Sequence, residues 1–164
     1  MCKVVLKLSD DVSTDIIYPG RFMATVLPAE TPQFAFADLV DFNTRLKKKE
    51  IQPHSVIVAG KNFGCGSSRE QAASCLKGPD FIVIARDFAR IFLQNSINLG
   101  LNTIICPGFE ADEGDELKIS PTQVVNRTIG KSFELVPLPK ARQAIIDAGG
   151  LIPYTRQRLL QTKE

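Results

Sequence analysis

The sequence predicts an α/β fold with a central parallel βαβαβ core and a C-terminal β-hairpin region, and three observations carry that prediction. "SVIVAG" (55–60), "FIVIAR" (81–86) and "NTIICP" (102–107) are short unbroken apolar runs rich in Val and Ile. Strands buried on both faces of a parallel sheet read this way. Two helical stretches, 67–77 and 88–98, lie between them, and the βαβαβ order implies right-handed crossovers. Beyond residue 115 the pattern changes to polar–apolar alternation around Gly130, as in a hairpin.

Taken in order, "KVVLKLS" (3–9) reads as a first strand. "DDVSTDIIYPGRF" (10–22) is a polar turn, a short apolar pair and a Pro-Gly break. "MATVLPAETPQFAF" (23–36) carries two prolines and no clear period, which predicts a mobile loop. "ADLVDFNTRLKKKE" (37–50) places Leu39, Val40, Phe42 and Leu46 as the apolar positions of an amphipathic helix with a solvated lysine end. The helix over 88–98 takes Asp87 as N-cap and Gly100 as C-terminal cap. "KARQAIIDAGG" (140–150) is a helix stopped by two glycines, and "LIPYTRQRLLQTKE" closes the chain as a final helix or a frayed tail. No internal repeat or low-complexity linker interrupts residues 1–164, which read as a single domain.

The 164 residues allow a core of ordinary size, and 44% hydrophobic with 23% charged residues is the balance of a globular protein. A net charge of +2, from 20 basic and 18 acidic residues, gives no electrostatic case for a nucleic-acid or membrane partner. No secretory signal or run of ~18 apolar residues is visible. Cys2, Cys65, Cys75 and Cys106 form neither a CxxC pair nor a disulfide framework, so a cytoplasmic setting is expected. With His54 as the one histidine, in a loop, no His/Cys zinc site is expected in this chain.

"VAGKNFGCGSSREQAASCLKG" (58–78) concentrates small residues where a strand should end and a helix begin. A nucleotide loop fits poorly, because no Gly-Lys-Ser/Thr occurs and Arg69 stands where a dinucleotide fingerprint needs its third glycine. A purely structural reading makes Ser67 the N-cap and Glu70 its capping-box partner, with Gly64 and Gly66 supplying positive-φ turns. That reading leaves Arg69 unexplained, since a cation faces the positive end of a helix dipole there. In the third reading, helix N–H groups, the Ser67 and Ser68 hydroxyls and the Arg69 guanidinium bind an anion, best a carboxylate. The end of a parallel strand is where α/β sheets bind ligands. The same surroundings would lower the pKa of a serine hydroxyl, while the lack of a histidine partner argues against Ser-His-Asp chemistry.

"GKNFGCGSSREQA" resembles the signature of the small subunit of 3-isopropylmalate dehydratase, in the aconitase superfamily. "STDIIYPGRF" resembles that family's Asp-Thr-Asp segment, "FARIFLQNSINLGL" its helix after the third strand, and "GDELKI" and "AGGLIPY" its C-terminal blocks. The resemblance implies a swivelling β/β/α domain that completes an active site built mainly by a large partner subunit. The reaction implied is a hydro-lyase isomerisation of 2-hydroxy and 3-hydroxy dicarboxylic acids, foremost 3-isopropylmalate and 2-isopropylmalate in leucine biosynthesis. Homoaconitate, citraconate/citramalate and dimethylmalate are alternatives, and a non-catalytic carboxylate-binding or regulatory module is a second reading. A 4Fe–4S cluster is implied on the large subunit and no cofactor in this chain, whose cysteines lack cluster spacing.

By the same resemblance Ser67 is the catalytic base, while Ser68, Arg69, Arg21 and Asp15 bind the substrate or line its site. Gly64, Cys65 and Gly66 form the supporting loop. Two departures stand out: Gln71 occupies the place of the family's histidine, and "FMATVLPAE" follows Arg21 where isopropylmalate enzymes often carry Tyr-Leu-Arg-Thr.

Overall fold

The computed structural model describes residues 1–161. In chain order the elements are β1 (Cys2–Lys7), α1 (Thr14–Ile17), 3-10 turns at Gly20–Phe22 and Thr31–Phe34, α2 (Val40–Lys47), β2 (Val56–Ala59) and α3 (Glu70–Lys77). There follow β3 (Ile82–Ala85), α4 (Arg90–Leu99), β4 (Asn102–Ile105), β5 (Glu116–Ile119), β6 (Gln123–Asn126), β7 (Lys131–Glu134), α5 (Lys140–Asp147) and α6 (Leu151–Gln161). The seven strands form one sheet in the order β4-β3-β2-β1-β5-β6-β7. Strands β1 to β4 pair in parallel, and β1 turns antiparallel towards β5.

The central parallel strands β2 and β3 are apolar throughout because both their faces are covered. Ile57, Ala59, Val83 and Ala85 face one core together with α3 and α4 residues such as Ala72, Leu76 and Phe92. Val56, Val58 and Ile84 face a second core with Cys106, Phe109, Leu117 and Val124. That second core is enclosed because the sheet curls: Val136 donates from its backbone to Ile105 at 2.9 Å, which links β4 to the chain just after β7.

The alternating tail is a three-stranded meander and not one hairpin. Gly130, at φ 69°, makes the β6–β7 turn as expected, while Ser120 closes a further turn between β5 and β6 by bonding Gln123. Asn126 is fully buried and ties the meander down, donating to Asp115 and accepting from the backbone of Thr128.

Three further expectations are corrected. Residues 23–36 were expected to form a mobile loop, yet their second half is anchored. Thr31, Ala35 and Phe36 are fully buried, Thr31 and Ser74 share a hydroxyl hydrogen bond of 3.0 Å, and the Asn43 amide donates to the carbonyls of Gln33 and Ala35. Val40 is exposed at the start of α2, whose apolar face is Phe42 with Leu39 and Leu46 beside it. Asp87 does not cap α4, whose N-cap is Ala89; its carboxylate accepts instead from the Asn62 N–H. Gly100 caps α4 as expected, at φ 73°. Residues 151–161 form a helix; residues 162–164 of the tail lie outside the described residues.

Phe63 fixes the start of the glycine loop to this framework. It is fully buried and meets Phe88 and Phe92 edge to face, with ring centres 5.9 and 5.2 Å away. Its backbone exchanges hydrogen bonds with Asp87 and Ala89. Phe63→Ala should therefore lower the unfolding free energy by about 3–5 kcal/mol, read from urea denaturation midpoints.

A candidate active site on the β2–α3 loop

The loop after β2 is held from outside, by a chain segment some fifty residues earlier. Gly60 N–H donates to the Ser9 carbonyl, the Asp10 carboxylate accepts from Lys61 N–H, and Asp11 N–H donates to the Lys61 carbonyl. Gly64 N–H then donates to Val12, and Thr14 N–H to Cys65, at 2.7 and 2.8 Å. The Thr14 hydroxyl reaches the Ser67 carbonyl at 3.1 Å, and Asp15 pairs with Arg69. Residues 9–15 and 60–69 are thus bonded along their whole length.

Gly64 has no substitute in this arrangement. Its φ is 82°, and a Cβ there would lie 2.2 Å from Phe92 Cγ. Gly66, at φ 91°, turns the chain again without crowding. Between them Cys65 is half-buried and its thiol points to the Asp11 carbonyl at 3.5 Å.

The capping-box reading of Ser67 is overturned. Helix α3 begins at Glu70, its N-cap position is Arg69, and no side chain caps it. Ser67 and Ser68 are both exposed, and the hydrogen bonds at these two residues run to their carbonyls, from Thr14 and from the Asn95 amide at 3.4 Å. Their hydroxyls remain available to a ligand. Gln71 lies in the first turn of α3 behind them.

The anion that Arg69 lacked in the sequence is internal. Its side chain, 15% exposed, pairs with Asp15 through Nη1, and the same nitrogen donates to the Tyr18 carbonyl at the end of α1. The Arg69 hydrogen bond holds the Asp15 carboxyl below its ordinary range, with help from the Gly20 N–H. Arg21 is placed differently. Its fork grips Asp38, with Nη1 3.2 Å from Oδ2, and its guanidinium stacks 4.6 Å from the centre of the Phe22 ring. No contact joins Arg21 directly to Ser67 or Arg69, but Gly20, next to it in the chain, touches the Asp15–Arg69 pair. Sequence reasoning missed Thr14, Asp38 and Asn95. Thr14 lay inside the "STDII" stretch, but nothing in the sequence revealed that its hydroxyl would reach Ser67.

Among the described residues no group of three or more His, Cys, Asp or Glu side chains is placed to hold a metal ion. Cys75 and Cys106 are buried in separate cores, and burial pushes both thiols up. No helix among the described residues is long and apolar enough to cross a membrane.

The chain belongs to the aconitase C-terminal domain family, whose model matches residues 10–107. Within that family it stands with the small subunits of 3-isopropylmalate dehydratase. It is 43% identical over 156 residues to the one from Methanosarcina mazei, covering 92% of this chain and 93% of the relative. It is 40% identical to the isopropylmalate/citramalate isomerase small subunit of Methanocaldococcus jannaschii, covering 97% and 95%. The crystal structure of 3-isopropylmalate dehydratase from that organism superposes with a TM-score of 0.87 at 38% identity, over 98% of this chain and 96% of its own.

Two outcomes follow from the geometry. Because Ser67 is exposed and caps nothing, Ser67→Ala should change thermal or urea stability by less than about 0.5 kcal/mol. Because Asp15 carries a depressed pKa, its pairing with Arg69 is complete above the ordinary value of 3.8 and is lost as pH falls through the lower folded value. NMR titration should place the Asp15 midpoint below 3.8, and Arg69→Gln should return it upwards.

Proposed function

We propose that this chain is the small subunit of a 3-isopropylmalate dehydratase, a hydro-lyase of leucine biosynthesis that works with a cluster-bearing large subunit. The observation that carries the site assignment is the Ser67–Arg69 loop: the Ser67 and Ser68 carbonyls are tied to Thr14 and Asn95, their hydroxyls are exposed, and the Arg69 guanidinium next in the chain is held by Asp15. The names of the relatives support both the reaction and the two-subunit organisation.

In this reading residues 1–164 act as one swivelling domain that closes over the partner's half of the site. Ser67 accepts the proton from the carbon next to a substrate carboxylate, while the hydroxyl leaves from the neighbouring carbon. The resulting double bond is rehydrated with the positions exchanged, and Ser67 returns the proton. A 4Fe–4S cluster on the large subunit would act as the Lewis acid that polarises the leaving hydroxyl. A serine can serve as base only where its alkoxide is stabilised, and the guanidinium of Arg69 together with the uncapped N-terminus of α3 supplies that field.

Arg69 has one nitrogen engaged by Asp15 and Tyr18, which leaves the rest of its fork for a substrate carboxylate. Ser68 adds a hydroxyl donor. Arg21, pre-oriented by Asp38 and Phe22, would meet a second carboxylate once the loop bearing it closes. The exposed Met23, Val26 and Leu27 that follow Arg21 offer an apolar surface for a branched alkyl group, which favours isopropylmalate over the more polar alternatives.

The test is reconstitution with the large subunit. Ser67→Ala and Ser67→Asp complexes should assemble and melt like the parent yet show no turnover of isopropylmalate. Arg69→Lys, which keeps charge but loses the planar fork, should weaken transition-state binding by roughly 1–3 kcal/mol. An active Ser67→Asp complex would exclude Ser67 as the base.

A further inference from the structure

We propose that Thr14 is the positioning residue for Ser67, holding the peptide that aims its hydroxyl. The inference rests on the reading of Ser67 as the proton acceptor and goes one step behind it. A serine side chain has a single heavy-atom rotor, so the direction of its Cα–Cβ bond decides where the oxygen can stand. That direction follows from the backbone at residue 67. The two glycines at positive φ just before it, Gly64 and Gly66, place few limits of their own on that backbone.

Thr14 supplies the missing restraint from both sides of Gly66. Its backbone N–H donates to the Cys65 carbonyl at 2.8 Å and its hydroxyl donates to the Ser67 carbonyl at 3.1 Å. The residue is 2% exposed, and its hydroxyl bond to Ser67 is partly buried. As a β-branched side chain it also has a stiff χ1, which fixes the hydroxyl's direction. Ser13, one residue earlier, caps α1 by accepting from Ile16 N–H, and Asp15, one residue later, grips Arg69. Thr14 is therefore held between two fixed neighbours. From the opposite side Asn95 of α4 bonds the next carbonyl, that of Ser68. The Ser67–Ser68 peptide is thus held by Thr14 and the following Ser68–Arg69 peptide by Asn95, so the restraint on Ser67 itself belongs to Thr14.

The decisive variant is Thr14→Val, which keeps shape and branching and removes only the donor. In the complex reconstituted with the large subunit, kcat should fall about 10²-fold, the scale of a small misplacement of a reacting group. KM should stay within about twofold, because the carboxylate-binding groups are untouched. Thr14→Ser, which keeps the donor and loses the methyl, should recover most of kcat even if its melting temperature drops. A packing role alone would give the reverse order, with Val retained and Ser impaired, and would overturn the proposal. Full kcat in Thr14→Val would overturn it as well. If Thr14→Val fails to assemble, Thr14→Ser decides: kcat retained upholds the donor, kcat lost refutes it. Ser67→Ala run alongside separates the two levels. An active Ser67→Ala complex removes the base reading, whereas an inactive one beside a fully active Thr14→Val removes only the positioning role.

Discussion

The lateral zipper between residues 9–15 and 60–69 is the contact on which the candidate site depends. Parallel strands end in loops that must find partners for their backbone groups, and a loop rich in glycine has little means of holding one shape. Here the loop after β2 is lined up against the segment after β1, the neighbouring strand, so one adjacency in the sheet decides both. The pairing begins at Ser9 and Gly60 and ends at Asp15 and Arg69. Gly60 belongs to it for a steric reason, since a Cβ there would lie 1.8 Å from the Asp10 carboxylate.

Charge is handled inside the same zipper. Arg69 at the head of α3 opposes the helix dipole, and an unpaired guanidinium there would be unfavourable. Asp15, in α1, answers it from the other side of the zipper, and the carbonyl of Tyr18 at the end of α1 accepts a second bond. The second pair, Arg21 with Asp38, is exposed and screened, so it contributes orientation more than stability. Both arginines therefore stand in defined directions, each set by its carboxylate partner.

The rest of the fold gives this loop a rigid base. The aromatic cluster of Phe63, Phe88 and Phe92 packs the loop's first residue against the start of α4, and the lack of a side chain at Gly64 lets Phe92 come close. The curled sheet places the meander β5–β7 far along the same sheet, where it encloses the second core. Close agreement with the fold of the Methanocaldococcus jannaschii protein at 38% identity fits a framework whose packing tolerates exchange.

The sequence by itself determined the three parallel strands, the helices between them, the Gly100 cap and the location of the loop. Those features are local: apolar runs, helical periods and glycines at turns act over a few residues. The Gly-Ser-Ser-Arg-Glu stretch also marked its family from sequence. What sequence reasoning got wrong was the work of particular side chains. Ser67 matched a capping box, but the helix starts three residues later because the zipper already holds the Ser67 carbonyl through Thr14. Asp87 matched an N-cap, but Asn62 takes its carboxylate. Residues 31–36 looked like loose loop, but Ser74 and Asn43 lie across from them. Only the tertiary structure decided these points, together with the partners of Arg69 and Arg21. The physical reason is that a polar side chain bonds whichever group the fold brings nearest, and those groups lie tens of residues away along the chain.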